Sequence, residues 1–79
     1  MILHDYYYDY DLREAHFEFI LKSDNEHVIR VLDLDYHDLE YYSSEIIDED
    51  MLFYMTDSFV KDIIDNYIKD KGLPSESYF

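Results

Sequence analysis

The apolar residues of this chain change period part-way along, and that change limits the possible folds more than any other feature. From Asp5 onward the N-terminal stretch alternates. Tyr6, Tyr8, Tyr10 and Leu12 share one parity, and Asp5, Tyr7, Asp9 and Asp11 share the other. Ala15, Phe17, Phe19 and Leu21 repeat the pattern against His16, Glu18, Ile20 and Lys22. Strict alternation with aromatic enrichment predicts half-buried strands. Past Ser43 the spacing turns helical: Ile47, Met51, Met55, Phe59, Ile63 and Tyr67 recur every four residues, accompanied by Leu52, Val60, Ile64 and Ile68. Strands followed by helices predict an α+β fold, with a small antiparallel sheet of three to four strands packed against one or two C-terminal helices.

Local signals sharpen this outline. Ser23, Asp24, Asn25 and Glu26 read as a turn, because Asp and Asn tolerate positive φ and bond their own backbone. Val28 to Leu34 is then the return strand of a hairpin. It pairs Leu21 with Val28, Phe19 with Arg30 and Phe17 with Leu32 on one side, and Ile20 with Ile29 and Glu18 with Val31 on the other. Both faces of that hairpin are partly apolar, so either both are covered or one makes an intermolecular contact. Leu39 and Tyr41 fit a short strand or the first turn of a helix equally well. Ser43-Ser44-Glu45 suits a helix start, with Ser as N-cap and acids in the first turn. Thr56-Asp57-Ser58 suits a break, so the C-terminal part is one bent helix or two, the second from about Ser58 to Lys71. Gly72 fits the position just past its end, with Pro74 beyond. The expected core is Phe17, Phe19, Leu21, Leu32, Leu34, Phe59, Ile63 and Tyr67.

Seventy-nine residues make a single domain, with 75–79 expected to be a flexible tail. Apolar residues at 48% and aromatics at 19% favour a packed chain over a disordered one. No apolar run approaches a membrane span, no secretory signal pattern is present, and the lack of Cys fits a reducing cytoplasm, so a cytoplasmic protein is expected. Cysteine is absent, so neither disulfides nor thiolate chemistry is available.

Function has to be read from charge. The formal net charge is −14, which speeds association with basic surfaces and opposes direct binding to nucleic acid. From Val31 to Val60, thirty residues pass without a Lys or Arg, while Asp33, Asp35, Asp38, Glu40, Glu45, Asp48, Glu49, Asp50 and Asp57 all fall within them. Clustered carboxylates repel one another, so several are expected to titrate at raised pKa.

Chemical motifs are missing. Acids are too abundant for any pair to signal acid–base catalysis. The runs Asp33 to Asp38 and Asp48 to Asp50 lack the Gly and the terminal Glu of a calcium-binding loop, and His4, His16, His27 and His37 lack the spacing of a helical zinc pair. With one Gly in the chain, phosphate-cradling loops are excluded in practice. No enzyme, metal or cofactor is expected.

Acidic rows remain. Same-side residues on a strand stand about 6.6 Å apart, a spacing comparable to that of DNA phosphates, so carboxylates at Asp9 and Asp11, or at Asp33 and Asp35, suit Lys and Arg placed to bind phosphate. Tyr7 and Tyr42 lie among the acids and can stack on Arg. The candidate partner-binding residues are therefore Asp5, Tyr7, Asp9, Asp11, Asp33, Asp35, Asp38, Glu40, Tyr42, Glu45, Asp48, Glu49 and Asp50.

In its small size, acidity, tyrosine content and lack of Cys, with the runs Asp5 to Asp11 and Asp48 to Asp50, the chain resembles phage-encoded DNA-mimic inhibitors of the anti-CRISPR and anti-restriction type. The resemblance is one of class. It implies stoichiometric binding, as monomer or homodimer, to the nucleic-acid cleft of a host defence nuclease: a CRISPR effector first, a restriction enzyme second. A competing class is an immunity protein or antitoxin that neutralises a basic nuclease toxin.

Overall fold

The computed structural model describes residues 1–20 and 29–72. Strand β1 (Ile2–Asp9) pairs antiparallel with β2 (Glu14–Ile20), and β2 pairs antiparallel with β3 (Ile29–Asp35). The sheet order is β1-β2-β3. Helix α1 (Tyr36–Ser43), a 3-10 helix (Glu49–Tyr54) and helix α2 (Asp57–Lys71) follow. The architecture is the expected α+β sheet with a C-terminal helix. Phe17 lies opposite Leu32, Phe19 opposite Arg30, Glu18 opposite Val31 and Ile20 opposite Ile29, the register expected from the sequence. The proposed turn at Ser23 to Glu26, the Leu21–Val28 pair and the 75–79 tail lie outside the described residues.

The first strand is shorter than the alternation suggested. It ends at Asp9, whose carboxylate accepts hydrogen bonds from the Asp11 and Leu12 amides at 2.9 and 3.1 Å. Arg13 then takes a left-handed conformation, φ 54°, and the chain reverses into β2. An Asp side chain and a left-handed Arg build this turn without Gly or Pro, and its turn-forming Asp9 is hidden because the Tyr/Asp alternation runs straight through it. Leu12 and Asp11 are consequently on the turn rather than on strand faces. A register shift between Leu3 and Asp5 leaves His4 as an extra residue. Such a bulge resets the parity, so that Leu3, Tyr6 and Tyr8 all face the helices.

Two helix boundaries also move. Asp35, not Ser43, starts a helix: its carboxylate accepts from the Asp38 amide at 2.8 Å. That resolves Leu39 and Tyr41 as helical. Ser43 is the last residue of α1, and Ser44, at φ 59°, is its left-handed C-cap, donating its amide to the Glu40 carbonyl. The same Ser-Ser-Glu sequence suits either end of a helix, and the earlier cap at Asp35 takes precedence. Thr56 caps α2 by accepting from the Phe59 amide at 3.2 Å, and Gly72 closes that helix at φ 72°, as the sequence suggested.

The core lies between one sheet face and the helical layer. Ala15, Phe17, Leu39, Val60, Ile63, Ile64 and Ile68 are almost fully enclosed. Phe59 and Tyr67, expected at its centre, are only partly buried. The reason is geometric. At 3.6 residues per turn, each step of four overshoots a full turn by about 40°, so a row of every-fourth residues drifts off any one face. Val60, Ile63, Ile64 and Ile68 hold the inward side instead. Met51, in the 3-10 helix, is 67% exposed, and Leu52 takes its place inside.

Candidate functional site: an anionic sheet face

Among the described residues, all helical elements cover the same side of the sheet, so the side chains of opposite parity face away from them. The pairing places them in rows across the three strands. Asp9, Glu14 and Asp35 form one row, Tyr7, His16 and Asp33 the next, then Asp5, Glu18 and Val31, and finally Ile2, Ile20 and Ile29. Among the described residues, no Lys or Arg occupies an outward position on these strands. Rows are about 6.6 Å apart along a strand and neighbouring strands about 4.8 Å apart. The face is thus a grid of carboxylates that grades into an isoleucine end.

Within these rows, the group able to carry positive charge is His16. Nδ1 of the ring sits 2.7 Å from Asp33 Oδ1, Nε2 sits 3.9 Å from Glu18 Oε2, and the ring stacks on Tyr7 at 5.0 Å. Like charges directly opposite each other destabilise a sheet, so the Asp9-Glu14-Asp35 row works against the fold. Asp9 and Asp35 are partly compensated by the turn and the helix cap that they hold together. Glu14 has no comparable hydrogen bond among the described residues.

Of the residues singled out in the sequence, Asp5, Tyr7, Asp9, Asp33 and Asp35 gather on this face. Asp11 is on the β1–β2 turn. Asp38 and Glu40 are on α1, and Glu45, Asp48, Glu49 and Asp50 flank or form the 3-10 helix. The candidates therefore do not make one surface. Tyr42 is a correction: it is 6% exposed, donating its hydroxyl to Asp70 at 2.8 Å, and is core rather than contact surface. Glu49 is also committed internally. It accepts from Arg13 Nε at 2.8 Å and from the Tyr8 hydroxyl at 2.7 Å, while Tyr10 donates to its backbone carbonyl at 3.1 Å. The Arg13 guanidinium lies 5.1 Å over the Tyr36 ring, completing a clamp between the β1–β2 turn, α1 and the 3-10 helix. Asp48 accepts from the Asp50 amide at 3.0 Å, capping that helix.

Glu14, Glu18 and His16 also lie on this face, although the runs of acids in the sequence did not point to them. The Glu18–Val31 pairing was legible; which face the helices would leave bare was not.

Titration follows these contacts. The Tyr8 hydrogen bond, followed by Arg13, holds the Glu49 carboxyl below its ordinary range, opposite to the rise expected from crowded acids. Burial, then Glu49, pushes Tyr8 up to about 12, and the Asp70 hydrogen bond, then burial, does the same for Tyr42. A phenol whose folded pKa is raised binds its proton more tightly in the native state. Its stabilisation is therefore complete below the ordinary value of 10.0 and is lost as pH rises through about 12. Denaturant melts in that alkaline window should show wild-type stability falling more steeply than that of a Tyr8→Phe, Tyr42→Phe double variant. Equal slopes would remove these two phenols as the cause. Glu49 behaves conversely, contributing above its ordinary value and losing that contribution as pH falls through its lowered one.

No protein-family model matches this chain, and neither a curated protein nor a solved structure matches it. Among the described residues no helix is long and apolar enough to cross a membrane, and no group of three or more His, Asp and Glu side chains is placed to hold a metal ion.

Proposed function

We propose that this protein is an acidic inhibitor of the DNA-mimic type, which lays the open face of its sheet in the nucleic-acid-binding cleft of a host defence nuclease. A CRISPR effector is the first target class and a restriction enzyme the second, and the setting is the host cytoplasm. The observation carrying this reading is the sheet face that none of the described helices covers. Carboxylates of Asp5, Asp9, Glu14, Glu18, Asp33 and Asp35 repeat across the strands with no outward Lys or Arg among them. Their spacing suits side chains that a nuclease uses to hold phosphates, and Tyr7 adds an aromatic surface for Arg. A stoichiometric binder of this kind needs no catalytic residue, metal or cofactor.

The test is competition. The protein is titrated into a preformed complex of a CRISPR effector or restriction enzyme with labelled DNA, and DNA release is followed at several salt concentrations. Release is expected, and association of the protein with its target should be fast at low ionic strength and slow as salt rises, because steering is screened over about 10 Å at 0.1 M. A ternary complex that keeps its DNA at saturating protein would rule out direct mimicry.

A further inference from the structure

We propose that a cleft beside the 3-10 helix is an anchor site, taking one apolar side chain from a Lys- or Arg-rich segment of a partner protein. The cleft has a volume of about 200 Å³. Ile47 and Leu52 form its floor from the core side, and Met51, Tyr54, Met55 and Phe59 contribute the rest of its apolar wall. Ile46 projects beside it at 97% exposure, with Met51 at 67% and Tyr54 at 82%. Isolated exposed apolar residues are ordinary, but a group of them around a concave site marks a contact surface. Aromatic and thioether side chains suit such a role, since they offer large area and adapt to irregular shapes.

Charge identifies the occupant. The charged residues lining the cleft are Glu45 and Asp48, both acidic, and the sequence around it, residues 31 to 60, contains no Lys or Arg. Asp48 is engaged as a helix cap, whereas Glu45 shows no side-chain hydrogen bond or ion pair among the described residues. A second copy of this chain would bring another formal charge of −14 to the contact, and nucleic acid or an anionic lipid surface would be repelled in the same way. A basic protein segment with an apolar centre satisfies both the walls and the rim. The site lies in the helical layer, apart from the carboxylate grid, so it goes beyond the proposed function and does not depend on DNA mimicry.

The experiment uses the isotope-labelled full chain and a set of short synthetic peptides. Each has a central Leu, Phe, Met or Ser flanked on both sides by Lys and Arg, so that charge is constant across the set. The apolar-centred peptides are expected to shift the amide resonances of Ile46, Met51 and Tyr54. The best of them should bind at least about tenfold more tightly than the Ser-centred peptide, the lower end of what burying one such side chain supplies. Ile46→Ser and Met51→Ser change exposed positions and should leave the fold intact while removing that preference. Glu14→Lys with Glu18→Lys, on the sheet face, should leave it unchanged. Equal affinity for every central residue, or shifts confined to the sheet face, would overturn the proposal by showing that charge alone binds. Concentration-dependent shifts of the same resonances without peptide would overturn it in favour of a second copy of the chain.

Discussion

Phe17→Ala is expected to cost about 3–5 kcal/mol of folding stability, the range for deleting a fully enclosed aromatic side chain. Phe17 is 0% exposed on the central strand, with Tyr6 opposite it on β1 and Leu32 on β3. Both sheet neighbours and the helical layer therefore lose contacts at once, and little backbone is free to collapse into the space. A domain of this size has only about 5–15 kcal/mol to lose, so urea melts should show a large drop in midpoint, or no folded baseline at all. Ile63→Ala belongs to the same group, since Ile63 is 1% exposed on α2, with an expected cost of about 2–5 kcal/mol. Phe59→Ala should cost less than either, because Phe59 only borders the core. If Phe59→Ala proved as damaging as Phe17→Ala, the orientation of α2 described above would be wrong.

The second large effect concerns the sheet face. Glu14→Lys with Glu18→Lys exchanges two negative charges for two positive ones, which takes the formal charge from −14 to −10 and puts two cations at the centre of the carboxylate grid. Association with a basic target nuclease should slow by about 10-fold or more at low ionic strength. Stability should move the other way. A lysine in place of Glu14 would face Asp9 and Asp35 across the sheet, where Glu14 now opposes like charges. Weaker binding by a more stable protein separates loss of the contact surface from loss of the fold. The matched pair Asp62→Lys and Asp65→Lys on α2 makes the same change in net charge away from that face. Equal slowing by both pairs in stopped-flow association would mean that net charge, rather than the sheet face, governs binding. Asp35, Asp48 and Glu49 make poorer test positions. The first two cap helices and the third is held by Arg13 and Tyr8, so their reversal would mix folding with binding.

Much of the architecture was legible because it depends on short-range periodicity. Alternation through Ala15, Phe17 and Phe19 specified β2 and its register with β3, since a slip by one residue would turn every one of these side chains to the wrong face. Gly72 and Thr56 marked the ends of α2 because a left-handed cap and an amide-accepting hydroxyl are local requirements. The turn after Asp9 was not legible, because the Tyr/Asp alternation continues through Asp9 and Asp11 to Leu12 and masks the turn-forming Asp carboxylate. Ser43 to Glu45 suits a helix start but ends α1, because a run of small polar residues can end one helix as well as begin another.

The candidate site was less legible, and for a different reason. Composition and the absence of Lys and Arg between 31 and 60 establish that some surface of this molecule is strongly anionic, since that many carboxylates cannot be buried. Which of them share a surface depends on long-range placement. The described helices cover one face of the sheet, and the opposite face carries Asp5, Asp9, Glu14, Glu18, Asp33 and Asp35, drawn from three strands. It also draws Tyr42 into the core and turns Ile46, Met51 and Tyr54 outward. Local sequence specifies a strand's two faces, but only the packing of α1 and α2 against one of them selects the face that meets water.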